Sequence, residues 1–154
     1  MVARSSRDSW DEAAGVAAQA QAIRDRAVKL AQSDERVWAQ ALEALREAGS
    51  SEGDARRDFR LEQKLERAAA VPLEIAALGA DAAALAALSA ARGDGAFRAD
   101  AAAAAALAAG GARAAAHLVL VNLGVRSDDP RLAQALASDQ IANDIAARLL
   151  ESGR

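Results

Sequence analysis

An apolar stripe runs through the first part of the chain, in steps that alternate between four and three residues. This spacing is typical of a helix that packs along its length on a partner, and it predicts a long helix from about Trp10 to about Ala48. The stripe consists of Val16, Ala20, Ile23, Ala27, Leu30, Asp34, Val37, Ala41 and Ala44. Asp34 therefore stands where a hydrophobic side chain is expected.

The middle of the chain predicts two further helical segments. After the polar loop AGSSEGDARRD, a helix is expected from about Asp58 towards Ala70. Pro72 lacks a backbone N–H and should kink this helix or start a new one. Gly79 is the candidate for its C-terminal break. A short helix over DAAALAALSAA should follow, with Asp81 as its N-cap.

The last part of the chain predicts two more helices. After the loop RGDGAFRAD, an Ala-rich helix runs to about Leu123 and ends near Gly124. Its last part, HLVLVNLG, is short and partly β-branched, but it continues the helical pattern. Asp129 is the expected N-cap of the final helix, with Pro130 at its first position. Its apolar residues are Leu132, Leu136, Ile141, Ile145 and Leu149.

Composition agrees with an all-α protein. Alanine, leucine, arginine and glutamate favour helix, whereas aromatic residues make up only 3% of the chain and a sandwich or barrel relies on them. We predict one domain over residues 1–154, an all-α bundle of about five helices with a long first helix. Alanine buries little apolar area, and the long first helix would project beyond a compact bundle. Both points favour an oligomer, and we expect a homodimer.

Charge and cysteine content exclude several classes of function. The net charge of −3 gives no basic face for nucleic acid, and the absence of cysteine excludes thiolate metal sites. A single histidine excludes a His-rich zinc site within one chain. The N-terminus MVARSSRDSWDEAAG is too polar for a signal peptide. The Ala-rich run has the length of a membrane span, but polar residues interrupt it, so we interpret it as a buried helix of a cytoplasmic protein.

Asp34, Asp100 and Asn122 are the polar residues that stand out. Asp34 either faces solvent or an arginine of another helix, or it is a catalytic acid or base or the counter-charge of a cationic ligand. Asp100 is expected to cap the Ala-rich helix, where it could also face a ligand. Asn122 could cap the other end. About 33 Å of straight helix separates them, so they can share a site only across a dimer or if the helix breaks at Gly110-Gly111.

Several segments, in order, resemble the cyclodeaminase/cyclohydrolase family, which includes the C-terminal domain of formiminotransferase-cyclodeaminase and stand-alone methenyltetrahydrofolate cyclohydrolases. They are MVARSSRDSWDEAA, LAQSDERVWAQALEAL, AAAVPLEIAAL, DGAFRADAAAAAALA and HLVLVNLG. The resemblance implies an all-α, dimeric fold and a reduced folate as substrate, without a cofactor or metal. It places the functional aspartates on Asp34 and Asp100 and a substrate-binding asparagine on Asn122.

The resemblance leaves two activities open, hydrolysis of 5,10-methenyltetrahydrofolate and cyclodeamination of 5-formiminotetrahydrofolate. Members of the family usually begin with a GGGS-like turn and an Ala-rich first helix, and this sequence is expected to start after that point, either because its start codon is assigned late or because the segment is lost. A pocket without that helix would miss one wall. The alternative is therefore a non-catalytic helical dimer or assembly module derived from the family.

Overall fold

The computed structural model describes residues 2–6, 10–48, 55–123 and 128–152, and in these ranges every long element is a helix. The elements are α1 (Val2–Ser5), α2 (Ala13–Ala48), α3 (Ala55–Arg92), a short 3₁₀ helix (Gly95–Phe97), α4 (Arg98–Leu123) and α5 (Pro130–Glu151). The predicted all-α bundle with a long first helix is confirmed. The short α1 has no counterpart among the predicted helices.

The middle of the chain differs from its prediction, because α3 is one continuous helix of 38 residues. Pro72 lies inside this helix and is almost fully buried, although an interior proline costs about 3 kcal/mol of helix stability. Asp81 is a mid-helix residue and caps nothing. Packing of α3 against α2, α4 and α5 outweighs the local preference for a break at Pro72 or Gly79.

Gly79 allows close contact between α3 and α4. A Cβ atom at this position would lie 2.9 Å from the backbone oxygen of Ala108 and 2.9 Å from the Cβ of Ala112. Because Gly79 has no side chain, the two helix backbones can approach to this distance. Gly79 is therefore a packing residue, and its prediction as a helix end is wrong.

The ends of the last helices agree with the sequence pattern where they can be compared. The side chain of Asp129 accepts a hydrogen bond of 2.9 Å from the backbone N–H of Arg131, and Pro130 opens α5, which confirms the predicted cap. The helix at HLVLVNLG is confirmed as far as Leu123. Most of the predicted polar loop (residues 49–54) and the predicted helix end near Gly124 lie outside the described residues.

Alanine dominates the core between α3, α4 and α5. The members of one buried cluster are Ala83, Ala86, Ala105, Ala109, Ala112, Ala142 and Ala146. A second cluster around Val119 and Leu123 closes the other end of α4. In contrast, α2 packs mainly on α3, and much of its surface remains exposed.

Candidate functional site

Asp34 lies on the side of α2 that faces α3 and is half-buried. Burial raises the pKa of its carboxyl group above the ordinary value of 3.8, because a poorly solvated site disfavours the charged form. Within the described ranges, no hydrogen bond or ion pair reaches this carboxylate. The hypothesis that an arginine from another helix neutralises Asp34 therefore finds no support among the residues that the structure describes.

Two polar contacts between α2 and α3 bracket Asp34. On one side Arg26 donates to Glu74 at 2.9 Å, and on the other side Lys64 donates to Gln40 at 3.4 Å. These contacts show that the two helices run antiparallel. They place Asp34 between two bridged points of the α2–α3 seam, in a stretch where the carboxylate itself is unpaired.

Asp100 is the third residue of α4 and is exposed. The helix begins at Arg98, so the prediction that Asp100 is the N-cap is wrong. The capping aspartate of this region is Asp94, whose carboxylate accepts from the backbone N–H of Ala96 at 2.9 Å and opens the 3₁₀ helix. Asp100 still lies in the first turn, where a negative charge is favourable, and its side chain is free to face a ligand.

A cavity of about 550 Å³ lies beside Asp100, between α1 and parts of α2, α3 and α4. Alanine, valine, leucine and isoleucine form most of its wall. Its polar residues are Arg4, Gln21, Arg24, Ser89 and Asp100. A mostly apolar pocket of this size with a few polar groups is typical of a small-molecule site.

The two arginines of this cavity were not among the sequence candidates. Arg4 lies in α1, a helix that the sequence pattern does not predict, and Arg24 lies one residue after the stripe position Ile23. Arg24 is mostly exposed and contacts Asp25 at 3.3 Å. Periodicity indicates the apolar side of a helix, but it does not show which neighbouring helix forms a cavity with that side. The sequence pattern therefore contains no signal for Arg4 or Arg24.

Asn122 lies at the other end of α4 and is 7% exposed. Its Nδ2 donates to the backbone oxygen of Ala68 at 3.2 Å, which joins α4 to α3. It also lines a second cavity of about 540 Å³, together with the acidic residues Asp58, Glu62 and Glu66 and the exposed Phe59. Asn122 therefore has a structural contact and also faces an open space.

The three predicted site residues do not come together within one subunit. α4 is continuous from Arg98 to Leu123, without a break at Gly110-Gly111, so Asp100 and Asn122 remain about 33 Å apart. Asp34 lines neither of the two cavities.

Arg113, which has His117 one turn later, contacts Asp139 of α5 at 3.5 Å. No cluster of three or more potential metal ligands occurs in the described part of the chain.

Two segments, Asp58–Arg92 and Gly95–Leu123, are long and apolar enough to cross a membrane by length and composition alone. Both also supply buried alanines to the helical core, as the central helices of a soluble bundle do. The structure is therefore compatible with a soluble protein.

No curated protein matches this sequence. The family model described as formiminotransferase-cyclodeaminase matches residues 1–140, which is nearly the whole chain and includes Asp34, Asp100 and Asn122. The chain thus belongs to the formiminotransferase-cyclodeaminase family, whose domains are related to folate metabolism.

Proposed function

We propose that the protein is a tetrahydrofolate one-carbon enzyme that hydrolyses 5,10-methenyltetrahydrofolate to 10-formyltetrahydrofolate or cyclodeaminates 5-formiminotetrahydrofolate. The observation that carries this proposal is the unpaired, half-buried carboxylate of Asp34 in a chain of this family. Burial raises its pKa, which moves it towards the range in which one group can both accept and donate a proton. The substrate is a reduced folate, and neither a metal nor a cofactor takes part.

In the hydrolytic reaction, Asp34 moves one proton between water and the substrate. The carboxylate accepts a proton from water as the oxygen bonds to the cationic methenyl carbon. The tetrahedral carbon then releases N5, which takes the proton from Asp34, and the formyl group stays on N10. One further proton leaves the oxygen as the carbonyl forms. The negative charge of Asp34 also stabilises the cationic substrate before water adds.

In the deamination reaction, N10 bonds to the formimino carbon on N5, and the proton of N10 passes to the imino nitrogen, which becomes an amino group on a similar tetrahedral carbon. The protonated Asp34 donates to the leaving nitrogen, which departs as ammonia, and the methenyl bridge forms. Both reactions therefore need the same group, an acid–base residue beside a carbon that lies between two nitrogens. The choice between them depends on whether water or N10 attacks.

The remaining candidates serve to bind the substrate. Asp100 orients the pterin or the attacking water from the wall of the 550 Å³ cavity, and Asn122 contacts the substrate from the other end of α4. Arg4 and Arg24 of the same cavity are the cations that can bind the carboxylates of the glutamate tail. We place the protein in the cytoplasm as a homodimer that binds neither nucleic acid nor membrane.

A second candidate function is a non-catalytic helical dimer or assembly module. The observation that favours it is the separation of the three residues, because Asp34 lines neither cavity and α4 holds Asp100 and Asn122 apart. An enzyme built in this way needs a second subunit to bring its site together, whereas an assembly module needs no site at all.

The deciding experiment compares Asp34→Asn with the wild type. The assay follows the loss of the methenyl chromophore above its spontaneous rate and, separately, the appearance of that chromophore from 5-formiminotetrahydrofolate. We expect the variant to lose turnover of the active substrate while its circular dichroism stays helical. Asp144→Asn is the control, because Asp144 is an exposed aspartate of α5 that accepts a hydrogen bond from Gln140.

Two results would contradict the proposal, the first in its assignment of Asp34 and the second in its assignment of an activity. Unchanged turnover in Asp34→Asn removes Asp34 from the reaction. No turnover of either substrate by a folded wild-type protein supports the non-catalytic alternative.

A further inference from the structure

Pro72 leaves one backbone carbonyl of α3 without its usual partner. In an α-helix the N–H of each residue bonds to the carbonyl oxygen four residues earlier, so the oxygen of Ala68 would normally pair with residue 72. Proline has no N–H to donate, and both Ala68 and Pro72 are buried. Because a buried carbonyl without a partner costs free energy, another donor has to supply this bond.

Asn122 supplies the missing bond from α4. Its Nδ2 donates to the backbone oxygen of Ala68 at 3.2 Å. This bond fixes the orientation of the amide group, because the reverse orientation would place Oδ1 against the oxygen of Ala68, and neither oxygen can donate. Pro72 in α3 thereby determines how a side chain of α4 is oriented.

The fixed orientation leaves Oδ1 of Asn122 as a buried acceptor at the second cavity. Asn122 is 7% exposed and lines this cavity of about 540 Å³. Its Oδ1 accepts no hydrogen bond from any residue in the described ranges, although buried amide oxygens usually have a donor. A ligand that pairs with this oxygen must therefore bring an N–H or O–H group.

Charge selects among such donors. Asp58, Glu62 and Glu66 line the same cavity and lie one turn apart along α3, and neither lysine nor arginine occurs among the described residues of its wall. Arg131 approaches Glu66 only to 3.9 Å, whereas it contacts Asp129 at 2.6 Å. The wall is therefore negatively charged and favours a donor that is positively charged.

The rest of the wall suits an apolar body. Leucine and alanine side chains form most of the remaining lining, together with Phe59, which is 58% exposed. The face of an aromatic ring also attracts a cation that lies within about 6 Å of it. A cation on an alkyl chain thus matches the wall at both of its ends.

We propose that the second cavity binds a small organic cation that carries N–H donors on an apolar body. Its N–H group bonds to Oδ1 of Asn122, and the carboxylates of Asp58, Glu62 and Glu66 balance its charge. Two ligands share this chemistry: a free alkylamine, and the cationic folate of the proposed function, whose pterin also carries N–H groups. The site does not rest on the proposed function, because the same residues would hold either ligand.

The first test compares probes that share a hexyl chain and differ only in the head group. The full chain, labelled with ¹⁵N, is titrated with each probe, and the NMR shifts of the Asn122 side-chain amide and of the α3 backbone give the dissociation constant. Hexylammonium should bind most tightly. Hexyltrimethylammonium keeps the charge but has no N–H, and hexanol keeps a donor but has no charge, so each should bind roughly tenfold more weakly. Hexanoate should show no saturable binding.

The probe series tests Asn122 without changing it, since its substitution would also leave the oxygen of Ala68 without a donor. The second test changes the charge of the wall instead. Asp58 is exposed, and Asp58→Lys should raise the dissociation constant of hexylammonium roughly tenfold. Asp81→Lys is the matched control, because Asp81 is an exposed aspartate of the same helix outside this cavity. Circular dichroism checks that both variants remain helical.

Three outcomes would overturn the proposal. They are the absence of saturable hexylammonium binding, equal binding of hexylammonium and hexyltrimethylammonium, and an Asp58→Lys variant that binds hexylammonium as well as Asp81→Lys does.

A competition experiment separates the two sources of the cation. If freshly added 5,10-methenyltetrahydrofolate displaces hexylammonium, the site holds the folate, and if it does not, the site holds a separate amine. The titrations with hexyl probes use no folate. Failure of the proposed function would therefore appear in the turnover assay and leave those titrations unchanged.

Discussion

Substitution of Gly79 by alanine tests how closely α3 and α4 pack. The added Cβ would lie 2.9 Å from the oxygen of Ala108 and 2.9 Å from the Cβ of Ala112. Neither atom is the end of a flexible side chain, so the helices themselves must move apart. Overpacking of this kind costs about 1–3 kcal/mol. Replacing an interior helical glycine by alanine returns about 1 kcal/mol, which leaves a net loss of about 0–2 kcal/mol.

Gly110→Ala is the matched control for this change. Gly110 is also an interior helical glycine, but nothing lies within 4 Å of its added Cβ, so we expect a gain of about 1 kcal/mol from helix propensity alone. The two variants should differ by about 1–3 kcal/mol in the free energy of unfolding. Urea denaturation at one protein concentration, followed by circular dichroism, measures this difference. If Gly79→Ala proves as stable as Gly110→Ala, the close approach of α3 and α4 at this point is refuted.

Two further predictions concern single aspartates. Asp129→Ala removes the N-cap of α5 and the 2.6 Å contact with Arg131, and it should cost about 1–2 kcal/mol of stability. The control is Asp128→Ala, which changes an exposed neighbour and should cost almost nothing. Equal urea midpoints for the two variants would contradict the role of Asp129 as a cap. Burial raises the pKa of Asp34 in the folded state. Between the unfolded value of about 3.8 and this raised pKa, the folded protein keeps a proton that the unfolded chain has lost. The free energy of unfolding should therefore fall as the pH rises through this range. Asp34→Asn should lack this decrease and gain stability relative to the wild type between low and neutral pH, and parallel pH profiles of the two proteins would contradict a desolvated carboxylate.

The helices were largely predictable, because their local signals and their tertiary contacts agree. The α2 stripe predicted a helix that ends at Ala48, as observed, and Asp129-Pro130 predicted the start of α5. The same local rules failed in α3, because Gly79 does not end the helix and no new helix starts at Pro72. There the buried position of Pro72 and the contact of Gly79 with α4 stabilise a conformation that the isolated segment would not favour.

The candidate site was predictable only in part. A carboxylate on an apolar stripe identified Asp34 from the sequence alone, and the structure shows it half-buried with a raised pKa. Arg4 and Arg24 were not identified, because their importance comes from a cavity that forms only when four helices meet. These two arginines line the cavity because of the way the helices are arranged, and the spacing of residues along a single helix does not predict that arrangement.

The sequence by itself determined that this protein is helical, that α2 is long and that a carboxylate interrupts its apolar side. Those features follow from periodicity and propensity, which act between residues a few positions apart. Only the tertiary structure decided that α3 is unbroken, that Gly79 is a point of contact and that Asp100 and Asn122 lie at opposite ends of one continuous helix. These features depend on which helix surfaces meet, and that is determined by packing between segments far apart in the chain.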